Sequence, residues 1–235
     1  MLDKKWIIGL AALGVGLFFI FRKRDADSGE SKSTPDALPE ETATGFTRTV
    51  DGNAIFTVPN GPKAVPLIIV YGGVMKYEYA HKEAMEKAAP AALKNRAAMM
   101  FVNIGTAPVD TLAQRGRAFA AKSGVTITDV KALGYSGGAN DVQRGFSSAL
   151  SMVGLIDPAT NEGFLRLPFN AGTRMIYNEA NWGGFPLIKA LLPSLAARIN
   201  ANGGDARSIV IRHRDMPAKF FALFADELAT PKGNA

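Results

Sequence analysis

The chain has 235 residues, of which 47% are hydrophobic and 20% are charged, and its formal net charge is +6. This composition is typical of a globular protein with a real core and excludes an intrinsically disordered chain. The sequence has no cysteine and only two histidines, which excludes disulfides, thiolate metal sites and a cysteine nucleophile. It also argues against a zinc site, and we predict neither a metal nor a cofactor.

The beginning of the chain predicts a membrane anchor. Residues 6–21 form a run without a charge, which Lys4 and Lys5 precede and the basic residues 22–24 follow. A bilayer span needs about 20 apolar residues, and flanking Lys and Arg side chains can reach the headgroups. We predict a single-pass transmembrane anchor over residues 1–24 that contacts the lipid bilayer through residues 6–21, with a cleaved signal peptide as the alternative. The charges around the run weakly favour a cytoplasmic globular part.

An acidic, polar and Pro-containing stretch follows the apolar run. Residues 25–44 have the composition of a flexible linker, so we predict that the globular domain spans residues 45–235. Basic residues outnumber acidic ones in this domain. That excess indicates either a surface that faces anionic lipid or an ordinary solvated surface.

Apolar runs alternate with amphipathic runs along the domain. We predict strands over residues 65–71, 97–103, 125–135, 152–156, 173–177 and 208–212. We predict helices over residues 78–95, 108–122, 138–150, 185–200 and 217–228. Continuous apolar strands that alternate with helices indicate an α/β fold: a doubly wound, mostly parallel sheet with helices on both faces.

The residues Gly134-Tyr135-Ser136-Gly137-Gly138 fit the pattern Gly-x-Ser-x-Gly, and they lie between a predicted strand and a predicted helix. A sharp strand-to-helix turn forces the Ser hydroxyl outward and directs the amides of the new helix at the reacting oxygen. Glycines on either side make room for that turn. The pattern therefore predicts a nucleophile at Ser136.

Several candidate site residues directly follow the predicted strands, whose carboxyl ends meet at one edge of the sheet. They are Gly72-Gly73, Asn103, Ser136, Asp157, Glu179 with Asn181, and His213. The set contains a nucleophile, candidate acids and a base, in the chain order Ser, acid, His. His213 is the candidate base because it follows a strand, whereas His81 lies in a charged helical stretch and is predicted to be a surface residue.

Over about residues 50–230 the chain resembles the α/β-hydrolase superfamily of serine hydrolases. The resemblance is carried by the Gly134–Gly138 turn, by Tyr71-Gly72-Gly73 after an earlier strand and by His213 after the last strand. It implies that Ser136 attacks a carbonyl carbon to form an acyl-enzyme and that His213 acts as its base. It also implies an oxyanion hole built from the Gly137 N–H and the N–H of Gly73 or Val74.

The residues leave the acid of the triad open. Asp157 ends the strand after the turn, and Glu179 ends the next strand, where the family more often carries its acid. Asn181 could also align with that acid and would then depart from the family pattern. We favour Asp157 as the acid, with Glu179 or no acid at all as the alternatives.

Two functions fit these observations. The first is a membrane-tethered serine hydrolase that cleaves an ester, thioester or amide in a small molecule, a lipid or a cell-wall component. The second is a non-catalytic α/β-hydrolase-like protein with a structural or interaction role at a bacterial or viral membrane. No P-loop pattern and no basic–aromatic interleaving is present, so we expect no nucleic-acid partner.

Overall fold

The computed structural model describes residues 41–43, 45–61 and 63–232. The predicted anchor over residues 1–24 and nearly all of the predicted linker over 25–44 lie outside the described residues. Residues 41–43 of that linker instead form a strand that pairs with the domain, so the domain begins earlier than predicted. Within the described ranges, no helix has both the length and the hydropathy that crossing a bilayer requires.

Within the described ranges, nine strands form one sheet in the order β1-β2-β3-β5-β4-β6-β7-β8-β9. Six neighbouring strands are parallel: β5, β4, β6, β7, β8 and β9. The strands β3, β2 and β1 extend the sheet beyond β5 with antiparallel pairs. The strands are β1 (Glu41–Ala43), β2 (Phe46–Asp51), β3 (Ala54–Pro59), β4 (Lys63–Tyr71), β5 (Ala98–Val102), β6 (Val125–Tyr135), β7 (Leu150–Ile156), β8 (Thr173–Tyr177) and β9 (Asp205–Ser208).

Helices cover both faces of this sheet, as the sequence predicts. Their bounds are α1 (Lys82–Ala88), α2 (Ala91–Lys94), α3 (Val109–Lys122), α4 (Ala139–Arg144), α5 (Pro186–Ala201) and α6 (Met216–Ala229). Buried residues of α3, α4 and α5 pack in one core layer, and those of α1, α2 and α6 pack in the other. The fold is therefore an α/β fold with a mostly parallel sheet between two helical layers.

Successive side chains of β4 pack alternately into the two core layers. Leu67, Ile69 and Tyr71 point into the layer of α3, while Ile68 and Val70 point into the layer of α6. All five are at most 1% exposed. Burying one such aliphatic side chain contributes about 1.5–3 kcal/mol, which explains why the central strands are continuous apolar runs.

Some predicted elements differ from the observed ones. The predicted helix over 78–95 is divided into a 3₁₀ turn (Glu78–Ala80), α1 and α2. The break between α1 and α2 lies at Ala89, whose extended backbone is the conformation favoured before a proline. The helix after the Ser136 turn ends at Arg144, six residues earlier than predicted. The last strand is the polar edge segment β9 and not the apolar run at 208–212.

Lys131 joins β6 to the end of α6. Its side chain is 3% exposed, and its ammonium group donates to the carbonyls of Glu227, Leu228 and Thr230 at 2.6, 3.0 and 2.6 Å. Burial lowers the pKa of this ammonium. The carbonyls at the C-terminal end of a helix lack intrahelical donors, so Lys131 supplies the hydrogen-bond donors that these carbonyls need.

We expect Lys131→Met to lower the free energy of unfolding by about 1–3 kcal/mol, because these carbonyls would then be buried without a donor. Chemical denaturation measures the change. Lys122→Met, on the exposed end of α3, is the matched control and should change stability by less than about 0.5 kcal/mol. Equal effects of the two substitutions would show that the hydrogen bonds from Lys131 to the end of α6 contribute nothing to the free energy of unfolding.

Candidate active site

Ser136 lies in a strained turn between β6 and α4. Its φ of 53° falls in the left-handed region, which is costly for a residue with a Cβ. The glycines of the turn allow close packing on both sides: a Cβ at Gly134 would lie 2.5 Å from Ala139 Cα, and one at Gly138 would lie 2.1 Å from Gly72 O. The turn therefore has the geometry that the Gly-x-Ser-x-Gly pattern predicts.

Asp157 follows β7 and shares the same unusual backbone conformation, with a φ of 41°. Among the described residues other than glycine, Ser136 and Asp157 are the two with a positive φ. The Asp157 N–H donates to Ile176 O of the neighbouring strand at 2.7 Å. This turn directs the side chain along the carboxyl edge of the sheet, where backbone strain often marks a functional position.

The Asp157 carboxylate is fully buried and accepts four hydrogen bonds. Oδ1 accepts from the Asn178 N–H at 3.0 Å and from the Trp182 indole at 3.1 Å. Oδ2 accepts from Asn181 Nδ2 at 2.7 Å and lies 2.6 Å from His213 Nδ1. A carboxylate anion has about four acceptor positions, so these donors satisfy it completely.

Three aromatic rings contact the imidazole of His213. Tyr135 stacks on it with 4.8 Å between ring centroids, and Trp182 and Tyr79 meet it edge-on at 5.2 and 6.3 Å. The Tyr135 hydroxyl also donates to His213 O at 3.2 Å. Burial raises the pKa of that hydroxyl, which keeps it protonated as a donor. The side chain of His213 remains 22% exposed, so one edge of the ring is accessible.

The segment that carries His213 is also fixed through its backbone. Ile211 O accepts from Asn178 Nδ2 at 2.8 Å and from Asn181 Nδ2 at 3.2 Å. The two asparagines therefore contact both the carboxylate and the chain that presents the imidazole. The Asp157–His213 pair consequently has little freedom to separate.

Ser136 and His213 lie on the same edge and share one neighbour. Tyr135, whose ring stacks on His213, directly precedes Ser136. The described hydrogen bonds include none between Ser136 Oγ and His213. Hydrogen bonds between nucleophile and base are commonly longer in ligand-free enzymes than in complexes, so this geometry is compatible with a Ser–His pair.

The backbone amides expected to form an oxyanion hole differ in availability. The Gly73 N–H donates to Ala80 O at 2.9 Å, so Gly73, one of the predicted donors, is already engaged. Val74 and Gly137 are neighbours, since a Cβ at Gly137 would lie 3.0 Å from Val74 Cγ2 and 3.8 Å from Val74 N. The two remaining candidate donors are therefore Val74 and Gly137.

The other candidates from the sequence lie elsewhere at this edge. Glu179 begins a 3₁₀ turn (Glu179–Trp182) and is half-buried, and no described contact joins it to His213. Asn103 Oδ1 accepts from the Lys82 N–H at 2.9 Å and so supports the start of α1. His81 Nε2 lies 2.5 Å from Met75 O, in the loop after β4. In the described ranges, no group of three acidic, His or Cys side chains could hold a metal.

Sequence reasoning missed the residues that surround the Asp157–His213 pair. Asn178 and Trp182 belong to one 3₁₀ turn and its cap, whereas Tyr135 and Tyr79 come from two other parts of the chain, and a single sequence contains no signal that links the three. The position of Asn178 after a strand could have indicated it, because the same rule identified Asp157.

Solved structures of similar fold exist for this chain. Est1E from Butyrivibrio proteoclasticus is 11% identical, with a TM-score of 0.51 over 81% of this chain and 96% of that one. A putative carboxylesterase from Lactobacillus plantarum WCFS1 is 14% identical, with a TM-score of 0.50 over 80% and 99%. No protein-family model and no curated protein matches the sequence. The likeness shows the fold alone: the mostly parallel sheet with its helices fits α/β-hydrolase neighbours.

Proposed function

We propose that this protein is a serine hydrolase that cleaves an ester, thioester or amide through an acyl-enzyme on Ser136. The observation that carries the proposal is the 2.6 Å contact between His213 Nδ1 and the buried Asp157 carboxylate, at the same sheet edge as the strained Ser136 turn. A histidine whose Nδ1 is held by a carboxylate presents Nε2 as a base. A serine in a strand-to-helix turn presents its hydroxyl to that base.

The proposed reaction assigns one role to each group. Ser136 Oγ attacks the carbonyl carbon while His213 Nε2 accepts its proton, and Asp157 stabilises the imidazolium that forms. The N–H groups of Val74 and Gly137 stabilise the developing oxyanion. The imidazolium then protonates the leaving group, and water, activated by the same imidazole, releases the acyl group and restores Ser136.

Asp157 is preferred over Glu179 as the acid. The donors around Asp157 fix the orientation of its carboxylate, so it can hold one tautomer of His213. Trp182 is a positioning residue in this scheme, because its indole binds Asp157 while its ring contacts His213.

We also propose that residues 6–21 anchor the domain in a bilayer as a single-pass segment, with the domain on the cytoplasmic side. The support is the uninterrupted apolar run between basic clusters. A tether of this kind would hold the site near lipid or cell-wall esters and amides. Small soluble esters would remain accessible to the same site.

We expect a fluorophosphonate probe to label the folded protein at Ser136 at neutral pH, because the probe needs an activated serine. Peptide mass spectrometry after labelling identifies the modified residue. Ser136→Ala should not be labelled, and Ser147→Ala, which removes a serine eleven residues away, should be labelled like the unaltered chain. Folded protein that the probe leaves unmodified would support the non-catalytic alternative.

We expect Asp157→Asn to lower kcat/KM for a soluble aryl ester by about 10³–10⁴-fold, because the amide would favour the wrong tautomer of His213. Glu179→Gln is the matched control for the other candidate acid and should retain activity. Trp182→Phe keeps a ring beside His213 but removes one donor to Asp157, so about a tenfold loss, mainly in kcat, is expected. A larger loss in Glu179→Gln than in Asp157→Asn would reverse the assignment of the acid.

For the anchor, we expect the full chain to stay with the membrane fraction after alkaline carbonate extraction. The double substitution Leu13→Asp and Val15→Asp should release it, because each buried charge costs about 2.5–3.5 kcal/mol near the centre of a span. Ser28→Asp and Ser31→Asp, in the predicted linker, form the matched control and should not release it. An unaltered chain that is fully extracted would contradict the anchor.

A further inference from the structure

Five large apolar side chains are exposed among the described residues, and all five lie near the candidate active site. They are Met75, Tyr77, Phe185, Leu187 and Val210, which we call the apolar rim. They come from the loop after β4, the start of α5 and the segment after β9. Because these positions follow the carboxyl ends of parallel strands or begin the next helix, the rim lies at the same edge of the sheet as Ser136.

Ring contacts connect the rim to the site. Tyr77 stacks on Tyr79 at 5.5 Å, and Tyr79 meets the imidazole of His213. Phe185 packs against Trp182 at 5.9 Å, and Trp182 meets the same imidazole. The rim therefore borders the accessible edge of His213 through two separate chains of aromatic rings.

The exposure of the rim gives the isolated domain no benefit. Leu187 is 81% exposed and Val210 is 88% exposed, so folding removes almost none of their surface from water. Scattered single apolar residues are ordinary on a protein surface, but a concentration at one functional edge indicates a contact with an apolar medium.

Basic residues accompany the rim at short spacing. Lys76 separates Met75 from Tyr77, and its ammonium lies 5.4 Å from the centre of the Tyr77 ring. Lys189 follows Leu187 by two residues, and Arg212 follows Val210 by two residues. Such side chains can extend towards phosphate headgroups while the neighbouring apolar groups enter the acyl region.

Acidic residues near the rim weaken the electrostatic attraction between its basic residues and anionic lipid headgroups. Glu78, Glu179 and Asp215 lie on the same three segments, and Asp215 pairs with Arg212 at 2.7 Å. The attraction therefore depends mainly on the apolar and aromatic groups, with the lysines adding contacts at the headgroup level.

The first strand begins at the edge of the sheet that carries the site. β1 is antiparallel to β2, which is antiparallel to β3, and β3 is antiparallel to β5. β1 therefore runs away from the site edge, and Glu41, its first residue, lies at that edge. The apolar run of residues 6–21 precedes Glu41 in the sequence.

We propose that the apolar rim docks on the surface of a phospholipid bilayer, so that the mouth of the site faces the lipid. Tyr77 and Phe185 enter the interface as aromatic anchors, and Leu187 and Val210 insert beside them. The proposal concerns the docking surface and does not require Ser136 to be catalytic.

Because the sequence has no cysteine, a single introduced cysteine can carry a fluorophore at one chosen position. The fluorophore then reports how deeply that part of the domain enters the bilayer. Leu187→Cys and Val210→Cys place an environment-sensitive fluorophore on the rim. Ser123→Cys places it at the exposed end of α3, at the opposite edge of the sheet, as the matched control. The labelled full-length chains are mixed with vesicles of phosphatidylcholine and phosphatidylglycerol, some of which contain brominated phosphatidylcholine as a quencher.

We expect fluorophores at positions 187 and 210 to shift to the blue and to be quenched by brominated lipid, at a depth of about 5–10 Å below the headgroups. The fluorophore at position 123 should remain in water. Equal, unquenched signals at all three positions would overturn the proposal, whether or not residues 6–21 insert. A blue shift at 187 that rises with protein concentration without vesicles would also overturn it, because the rim would then bind a second copy.

Fluorophosphonate labelling of Ser136 in the same vesicles separates this inference from the proposed function. Quenched rim positions with an unlabelled Ser136 support the docking surface and contradict the hydrolase. A labelled Ser136 with rim positions in water supports the hydrolase and overturns the docking surface.

Discussion

The organisation of the site depends on one buried charge. Asp157 is fully buried, and removing an ionised carboxylate from water costs far more than one ordinary hydrogen bond returns. Four donors are therefore required around it, and they come from the end of β8, the following 3₁₀ turn and the segment after β9. Satisfying this carboxylate joins three chain segments at one point. The position of His213 is a consequence of that requirement.

The same network explains why a polar site remains ordered at the end of a sheet. Loops at the end of a sheet are often mobile unless specific contacts fix them. Asn178 and Asn181 contact both Asp157 and Ile211 O, so the segment that presents His213 is fixed through its backbone as well as its side chain. Aromatic rings then limit rotation of the imidazole. In the proposed hydrolase, an imidazole held in this way needs little reorganisation before proton transfer.

Sequence patterns predicted the parts of the structure that depend on local chemistry. The turn at Ser136, the strand before it and α3 follow from glycine geometry, apolar runs and a proline near the first turn of the helix. The sequence favours Asp157 over Glu179 only slightly, because the choice depends on which side chain reaches His213 across three strands. The antiparallel strands β2 and β3 were also missed, since residues 46–59 mix polar and apolar side chains at an outer part of the sheet. β9 was misplaced because the apolar residues after it resemble a strand more than its own polar residues do.

Three kinds of unfavourable free energy occur together at the carboxyl edge of this sheet. Ser136 and Asp157 hold backbone conformations that cost of order 1–3 kcal/mol each. Asp157 adds a buried charge, and the apolar rim adds exposed hydrophobic surface. A sequence selected only for stability would remove each of these, because single substitutions at such positions commonly stabilise a protein. Their coincidence at one edge is best explained by a function that requires all three. In the proposed hydrolase the strain exposes the nucleophile and the buried charge orients the base, and in the proposed docking the rim brings both to an apolar surface.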